Sequence, residues 1–488
     1  MASLPTKRLA KLATGAALIA LAASPAPALG ATVHRVPPVV SGGTRGSGPS
    51  GHVRVLRGTF ADGATYLIQV PSDWNHTLFL YSHYYVPPGS PNPAIDVGDA
   101  ITGHWMLSHG YALAGSSYAS TGWAVQQALP DQIATLGVFA RRVGRPSRTI
   151  AWGHSLGGMV TAGLIQDYPG RFTAALPMCG VLAGSVGFFN TYLDAGFALK
   201  TLLAPSVQVA HITNPTANVN IAEQAVQAAQ KTAQGRARLA LAAALADVPG
   251  WFTPLSPEPG RRDYTAQEAN QYLSLSTTVL PATFGLRAEI EERAGGNPSW
   301  NNGVNYTSDL ARSVDAREVR ALYRAAHLSL HADLTALAGA MRISADPNAL
   351  RYFTRNVTYN GRLGVPVLTL QTTGDPNVMP ESDQAYASAV RRAGQAALLR
   401  EAFVHRAGHC AFTPAETIAA VQVLMRRLDT GRWDATALRP VALNARAAAL
   451  GPAYNVFPNS KNKLVPTAAA FQHYRPAPFL RPYDQPTR

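Results

Sequence analysis

The sequence predicts an α/β protein: a mostly parallel β-sheet flanked by helices, with one large helical insertion. Two β-like runs, at residues 111–115 and 149–152, enclose a helical stretch at 123–143. Strands that alternate with helices in this way form parallel sheets with crossover helices. The alternation stops between about residues 181 and 361, where helical patterns dominate, and strand signals resume at 365–371. A sheet interrupted by a long insertion accounts for both observations.

Turn residues and hydrophobic periodicity place the other elements. The predicted strands are 53–56, 65–70, 77–82, 111–115, 149–152, 172–177, 365–371 and 397–404. The clearest predicted helices are 123–143, one that begins at Ser155, 221–246, 316–340 and 414–428. We expect a core at 53–180 and 361–428, a helical cap at 181–360, and a Pro-, Ala- and Arg-rich C-terminal extension at 429–488 that lies extended on the core or is partly disordered.

The first 30 residues resemble an export signal. Basic residues precede an apolar run at 12–23, and small residues follow at 26–31, which is the order of a secretory signal peptide rather than of a buried N-terminal helix. Residues 31–52 continue as a Gly-, Ser- and Pro-rich linker. No stretch of the chain reaches the roughly 20 uninterrupted apolar residues that span a bilayer, so we expect a secreted, extracellular protein without a membrane anchor.

Composition narrows the class of protein. A chain of 488 residues can form one large enzyme domain with an insertion, or two or three small domains. With 47% hydrophobic and 14% charged residues, it is not a disordered or fibrous protein. The formal net charge of +14 comes mainly from scattered arginines with few interleaved aromatic residues, which argues against a nucleic-acid partner. The sequence predicts no oligomeric state.

The strongest local motif is Gly-His-Ser-Leu-Gly at 153–157, which follows a β-run directly and leads into a helix. A nucleophilic serine on such a turn brings its backbone close to neighbouring segments, so small residues are needed two positions before and after it. The N-terminus of the following helix also favours developing negative charge. We therefore predict Ser155 as a nucleophile.

A serine nucleophile needs a base, and the base needs an acid that orients it. Asp375 lies a few residues after the strand-like run 365–371, where its carboxylate can point back across the end of the sheet. We predict Asp375 as the acid, although Asp-Pro is also a common start of a turn. The alternative is Asp383, which falls where a helix should already have begun.

The predicted base is His409, in the loop that follows the last strand. Gly408 makes this loop flexible, whereas the alternative His405 follows the β-run so closely that the sheet would fix its side chain. His154, next to the serine, is expected to be a packing or hydrogen-bonding neighbour.

These motifs resemble those of the α/β-hydrolase superfamily: Gly-His-Ser-Leu-Gly-Gly at 153–158, Gly-Asp-Pro at 374–376 and Gly-His-Cys at 408–410. The order Ser, Asp, His along the chain is also that of the superfamily. The resemblance covers about residues 53–180 and 361–428. The segments that resemble secreted bacterial esterases and prolyl-oligopeptidase-like hydrolases are Val-Pro-Ser-Asp-Trp-Asn at 70–75 and Gly-His-Cys-Ala-Phe-Thr at 408–413. The resemblance implies the roles of the three residues and a lid at the insertion, but not the substrate.

An oxyanion hole requires two backbone N–H groups, one from the residue after the nucleophile, Leu156, and one from the loop after an early strand. Many α/β hydrolases have His-Gly in that loop, whereas this chain has His83 followed by tyrosine. The second donor is therefore predicted to be the N–H of Tyr84 or Tyr85, or a tyrosine hydroxyl.

The chain has two cysteines, Cys179 and Cys410. If the fold is right, both lie on the same rim of the sheet, and in an exported protein they can form a disulfide that holds the histidine loop; the alternative is two buried thiols. Two cysteines alone cannot form a metal site, and no zinc or haem motif is present.

The predicted reaction is acyl transfer to Ser155 followed by hydrolysis, which requires no metal or organic cofactor. We expect a small-molecule or polymeric carboxylic ester as substrate, because the cap has no obvious acidic cluster to hold a free amino terminus. A secreted serine peptidase or amidase of the same fold is the first alternative, and a catalytically silent binding protein on this scaffold is the second.

Overall fold

A mixed β-sheet forms the centre of the part of the chain that the computed structural model describes, residues 52–483. Its strands are β1 (Val53–Thr59), β2 (Thr65–Pro71), β3 (Thr77–Ser82), β4 (Ala112–Ser116), β5 (Arg148–His154), β6 (Ala174–Met178), β7 (Val367–Gly374) and β8 (Leu399–Ala407); after a separate hairpin of β9 (Val456–Pro458) and β10 (Leu464–Pro466), β11 (Phe471–Gln472) joins the sheet. The order across the sheet is β1-β2-β4-β3-β5-β6-β7-β8-β11. The strands from β4 to β8 run parallel, whereas β1, β2 and β11 pair antiparallel with their neighbours.

Helices cover both faces of this sheet. Those of the core are α1 (Ala100–Ser108), α2 (Val125–Arg142), α3 (Leu156–Asp167), α13 (Glu381–Arg392), α14 (Pro414–Thr430) and α15 (Pro440–Ala449). Between β6 and β7 the chain forms α4 (Gly184–Leu202), α5 (Pro215–Gln230), α6 (Ala233–Ala244), α7 (Tyr264–Ser274), two π-helical turns (Leu275–Val279 and Pro281–Leu286), α8 (Arg287–Ala294), α9 (Tyr306–Arg312), α10 (Ala316–Ala325), α11 (Leu330–Gly339) and α12 (Pro347–Arg355). The strand order, the crossover helices and the helical insertion are those of the α/β-hydrolase fold, so the predicted fold class is confirmed.

The core consists of two apolar layers, one on each face of the sheet. Along β3, Leu78 and Leu80 belong to the layer under α2, α3 and the insertion, whereas Phe79 and Tyr81 belong to the layer under α1 and α14. All four side chains are fully buried. Because successive side chains of a strand point to opposite faces, a central strand covered on both sides is apolar along its whole length. This explains the uninterrupted apolar run of β3.

Two long helices predicted in the insertion are each divided in the structure. The predicted helix 221–246 is interrupted between α5 and α6, where the Thr232 side chain accepts a hydrogen bond from the N–H of Gly235. The predicted helix 316–340 is interrupted between α10 and α11, where Ser329 caps the second helix in the same way. In both cases a hydroxyl side chain provides the acceptor that a new helix start requires.

The C-terminal extension differs from its prediction. It forms α15 and adds β11 to the edge of the sheet, where Phe471 pairs with Val404 of β8. The Asn444 side chain fixes this strand, because it accepts a hydrogen bond from the Phe471 N–H at 2.8 Å and donates one to the Phe471 carbonyl at 2.9 Å. Further on, Phe479 and Leu480 are buried. Residues 429–483 therefore lie against the core and form a helix and a strand there, whereas the sequence predicts a tail that is extended on the core or partly disordered.

Two predictions concern segments at the N-terminus. The predicted export signal, 1–30, and the predicted linker, 31–52, lie outside the described residues except for His52. Within residues 52–483, no helix combines the length and apolarity needed to cross a membrane.

Candidate active site

Ser155 lies at the tip of a sharp turn between β5 and α3. Its backbone has φ 58° and ψ −122°, a conformation that costs energy for a residue with a side chain. The turn packs against the end of β3: a Cβ atom at Gly157 would lie 1.9 Å from the Ser82 carbonyl oxygen, and one at Gly153 would lie 2.4 Å from the same atom. The two glycines of the motif are therefore required by steric contact with a neighbouring strand.

Three of the predicted residues form one chain of hydrogen bonds. The Nε2 atom of His409 is 2.8 Å from the Oγ of Ser155, and its Nδ1 atom is 2.8 Å from Oδ2 and 3.0 Å from Oδ1 of Asp375. Ser155 follows β5, Asp375 follows β7 and His409 follows β8. These strands are parallel, so their carboxyl ends meet at one edge of the sheet and bring together residues that are 254 positions apart in sequence.

The Asp375 carboxylate is fully buried and its orientation is fixed by its own loop. Oδ1 accepts hydrogen bonds from the backbone N–H groups of Asn377, at 2.9 Å, and Val378, at 3.0 Å. This is the local turn that an aspartate side chain forms with the residues after it. Sequence reasoning recognised the Asp-Pro turn but did not single out Asn377, although the Asp-Pro-Asn sequence is a signal for such a turn.

The alternative acid, Asp383, lies in the first turn of α13. Burial is the main cause that raises the pKa of Asp383 well above its ordinary value, and the nearby charges of Glu401 and Asp375 add to it. Nδ1 of His409 faces Asp375 instead.

The two alternative histidines have other partners. The His405 ring packs on Trp251, with ring centroids 4.9 Å apart, and its Nε2 atom is 3.5 Å from the carboxylate of Glu258. His154 has its Nδ1 atom 3.0 Å from the hydroxyl of Tyr81. Burial, with a smaller effect of the charge of His409, lowers the pKa of His154 to about 4, so this ring is neutral at pH 7.

The loop after β3 packs against the N-terminal turn of α3, which begins at Leu156. His83 fixes this loop: its ring stacks on Tyr118 at 3.9 Å, and its two nitrogen atoms lie 2.7 Å from the Tyr84 carbonyl and 3.0 Å from the Ser117 carbonyl. The N–H groups in the first turn of a helix have no intrahelical acceptor, so that of Leu156 is available to an oxyanion. The second donor remains a prediction.

The tyrosines of this loop, Tyr84 and Tyr85, are half-buried. Burial raises the pKa of both hydroxyl groups, so both keep their protons at neutral pH and can donate hydrogen bonds. The sequence did not point to Tyr118 as a support of the loop, because its contact with His83 is set by the tertiary fold.

Cys179 and Cys410 form a disulfide, with their Cα atoms 5.3 Å apart. Cys179 follows β6, and Cys410 follows His409 directly, with its sulfur 3.5 Å from Nε2 of that histidine. Among the described residues, Cys179, His409 and Cys410 bring potential metal-ligating atoms close to one another. Both sulfurs are bonded to each other and Nε2 is hydrogen-bonded to Ser155, so this group is not free to hold a metal ion.

We expect replacement of both cysteines with serine to destabilise the protein by about 2–5 kcal/mol, because the disulfide joins segments 231 residues apart. The kcat should fall as well, since His409 loses the covalent link that holds its loop. Thermal unfolding and turnover of the double variant, compared with wild type before and after reduction, measure both effects. Unchanged values in the double variant would show that the disulfide does not support the site.

The sequence has an extended similarity to an amidase. Over 425 residues, it is 30% identical to the o-phthalyl amidase from Xanthobacter agilis, and the match covers 80% of this chain and 90% of that protein. A scan against protein-family profiles found no match.

Solved structures that are similar to this chain include two from Aspergillus oryzae. One is an esterase, with 11% identity, a TM-score of 0.40 and coverage of 78% of this chain and 80% of that chain. The other is feruloyl esterase B, with 14% identity, a TM-score of 0.37 and the same coverage. An acylaminoacyl peptidase from Pyrococcus horikoshii matches at 10% identity and a TM-score of 0.36, over 78% of this chain and 42% of that chain.

The identity to the amidase extends over most of both proteins, and the strand order agrees with the superfamily that the motifs resemble. The chain is therefore a hydrolase of the α/β-hydrolase superfamily and belongs to the family of the o-phthalyl amidase from Xanthobacter agilis.

Proposed function

We propose that this protein is a secreted serine hydrolase that cleaves an acyl bond through an acyl-enzyme on Ser155, with His409 as general base and Asp375 as the acid that orients it. The observation that carries the proposal is the continuous hydrogen-bond chain from Ser155 Oγ through His409 to Asp375, with 2.8 Å at each link. Such a chain is the arrangement that activates a serine hydroxyl.

The reaction then has two halves. Ser155 Oγ attacks the carbonyl carbon of the substrate while its proton passes to Nε2 of His409, and the N–H of Leu156 together with a donor from Tyr84 or Tyr85 stabilises the oxyanion. Collapse of the tetrahedral intermediate breaks the bond to the leaving amine or alcohol, which takes the proton from His409. A water molecule, activated by the same histidine, hydrolyses the acyl-enzyme.

For the substrate, we infer an amide of an aromatic acid, as the name of the relative indicates, with the ester predicted from the sequence as the competing case. The sequence favours an ester because the cap has no obvious acidic cluster that could hold a free amino terminus. In the structure, however, a cavity of about 680 Å³ borders Tyr85, and Glu289, Glu291 and Glu292 of α8 contribute to its wall. Glu289 pairs with Arg293, and Glu291 accepts the backbone N–H groups of His211 and Ile212. An amide of an aromatic acid has no free amino terminus, so these carboxylates do not decide between the amide and the ester.

A matched pair of substrates tests this proposal. The o-phthalyl amide of p-nitroaniline and the corresponding ester of p-nitrophenol share their acyl group, so their kcat/KM ratio isolates the preference for the leaving group. We expect cleavage of the amide, and inactivation by a p-nitrophenyl phosphonate whose adduct lies on the peptide that contains Ser155. Full activity after phosphonate treatment would refute the serine mechanism, and cleavage of the ester alone would restore the ester as substrate.

Secretion is supported by the signal-like residues 1–30 and by the disulfide, because disulfides persist in oxidising compartments. The protein recovered from culture medium should then begin near residue 31, which N-terminal sequencing can check. Recovery of the uncleaved chain from the cytoplasm would refute export.

A further inference from the structure

We propose that Asn377, held from the cap by Tyr192 and Thr278, positions Asp375 against His409. The inference rests on the proposed function, since it assigns a role in the same reaction to residues that are not part of the Ser-His-Asp triad. In this view the cap contributes to the chemistry itself and not only to enclosure of the substrate.

Three groups of Asn377 connect the acid to the cap. Its backbone N–H donates to Oδ1 of Asp375 at 2.9 Å, its backbone carbonyl accepts from the hydroxyl of Tyr192 at 2.7 Å, and its side-chain oxygen accepts from the hydroxyl of Thr278 at 3.1 Å. Tyr192 and Thr278 are both buried, at 2% and 6% exposure. Two cap residues therefore fix the peptide unit and the side chain of the residue that orients the carboxylate.

Tyr192 is also bonded to the π-helical segment that contains Thr278. Tyr192 belongs to α4, and its backbone carbonyl accepts a hydrogen bond from Thr283 at 3.2 Å. Thr278 and Thr283 belong to the two successive π-helical turns, on either side of Pro281. Proline has no N–H to donate into a regular helical ladder. π-Helical turns are rare and occur frequently at functional sites.

The rate of the reaction depends strongly on the exact position of the Asp375 carboxylate. The carboxylate of Asp375 acts only through its hydrogen bond to His409, and a displacement of about 1 Å at a reacting group can cost about a hundredfold in rate. Both anchors are needed to hold Asn377, so loss of either cap hydroxyl releases this residue and lets the acid loop move. We expect kcat to fall, while KM stays nearly constant, because neither hydroxyl is assigned a contact with substrate.

The test uses Thr278→Val and Tyr192→Phe, which remove one hydroxyl each with little change in volume. Each should lower kcat by about tenfold, and Thr278→Ser, which keeps the hydroxyl, should restore it. The matched controls are Thr277→Val, since the Thr277 hydroxyl bonds to the carbonyl of Leu273 at the end of α7, and Tyr323→Phe, since the Tyr323 hydroxyl bonds to Asp333 elsewhere in the cap. Both controls should retain wild-type kcat.

The double variant Thr278→Val with Tyr192→Phe tests the shared route through Asn377. Because either loss already releases Asn377, the two losses together should again cost about tenfold rather than the roughly hundredfold of independent effects. Reactive sites are counted with the phosphonate, so that unfolded protein does not lower the apparent kcat. If Thr278→Val folds poorly, Thr278→Ala and Tyr192→Phe provide the same comparison.

The outcomes separate this inference from the proposed function. Unchanged kcat in both single variants, multiplicative losses in the double variant, or a rise of KM alone would overturn the role of Asn377, while Ser155 could still be the nucleophile. If Ser155→Ala is fully active, the proposed function itself fails.

Discussion

Ser155→Ala is expected to lower kcat by about 10⁶-fold. The hydroxyl is the atom that forms the covalent bond to the acyl group, and no other group in the hydrogen-bond chain can replace it. The neighbouring His154 cannot take over this role. Burial lowers its pKa to about 4, so its ring is neutral at pH 7, but its Nδ1 atom is hydrogen-bonded to the hydroxyl of Tyr81. The activity that remains would come from substrate binding and oxyanion stabilisation alone.

Turnover of the phthalyl amide and labelling by the phosphonate measure this loss together. The matched control is Ser274→Ala, because the Ser274 hydroxyl is buried and bonds to Asn270 within its own helix. We expect wild-type kcat in that variant and no labelling in Ser155→Ala. A labelled Ser155→Ala protein would place the nucleophile at another residue.

The candidate site could be predicted because its main signals are local. The two glycines around Ser155 are required by contact with the end of β3, and this steric requirement appears in the sequence as a short motif after a strand. The sequence predicts Asp375 and His409 because each follows a strand, and parallel strands present their carboxyl ends at one edge. In these cases the physical requirement for the site is met by residues that are adjacent in the sequence, so a local motif can reveal it.

The supports of the site could not be predicted, because they depend on contacts between distant segments. Tyr192 and Asn377 are 185 positions apart, and Thr278 and Asn377 are 99 apart. No sequence pattern distinguishes a helical tyrosine or threonine that bonds to the loop of the acid from one that only packs in the core. Which of the two occurs is decided by the tertiary fold of the cap.

The C-terminal extension shows the same limit. Its composition suggests an extended or disordered tail, yet it contributes Arg481, which forms a buried ion pair with Asp194 of α4 and donates a hydrogen bond to the carbonyl of Trp300 at 2.7 Å. A buried arginine needs such a partner, because an unpaired charge in the interior is very costly. The partner lies 287 positions earlier in the chain, beyond the reach of any local pattern.

Asp375→Asn is expected to lower kcat by about 10⁴-fold while the protein remains folded. In the structure, Oδ1 of Asp375 accepts two backbone N–H groups, from Asn377 and Val378, and Oδ2 faces Nδ1 of His409 at 2.8 Å. The oxygen of an asparagine must take the Oδ1 position, because an NH₂ group there would oppose two donors. Its NH₂ group then faces Nδ1 of His409, which must become an acceptor. Nε2 consequently carries the proton, and the histidine cannot act as a base toward Ser155.

Asp383→Asn is the matched control, and it decides between the two candidate acids. Burial raises the pKa of Asp383 well above its ordinary value and so favours the neutral carboxylic acid, and asparagine is a neutral side chain of nearly the same shape. We expect a kcat close to that of wild type and an unfolding temperature that is equal or higher. Steady-state kinetics of the two variants on the phthalyl amide make the comparison. A large fall of kcat in Asp383→Asn with little fall in Asp375→Asn would instead identify Asp383 as the acid. The reason is that only the acid that faces His409 can change the tautomer of that histidine.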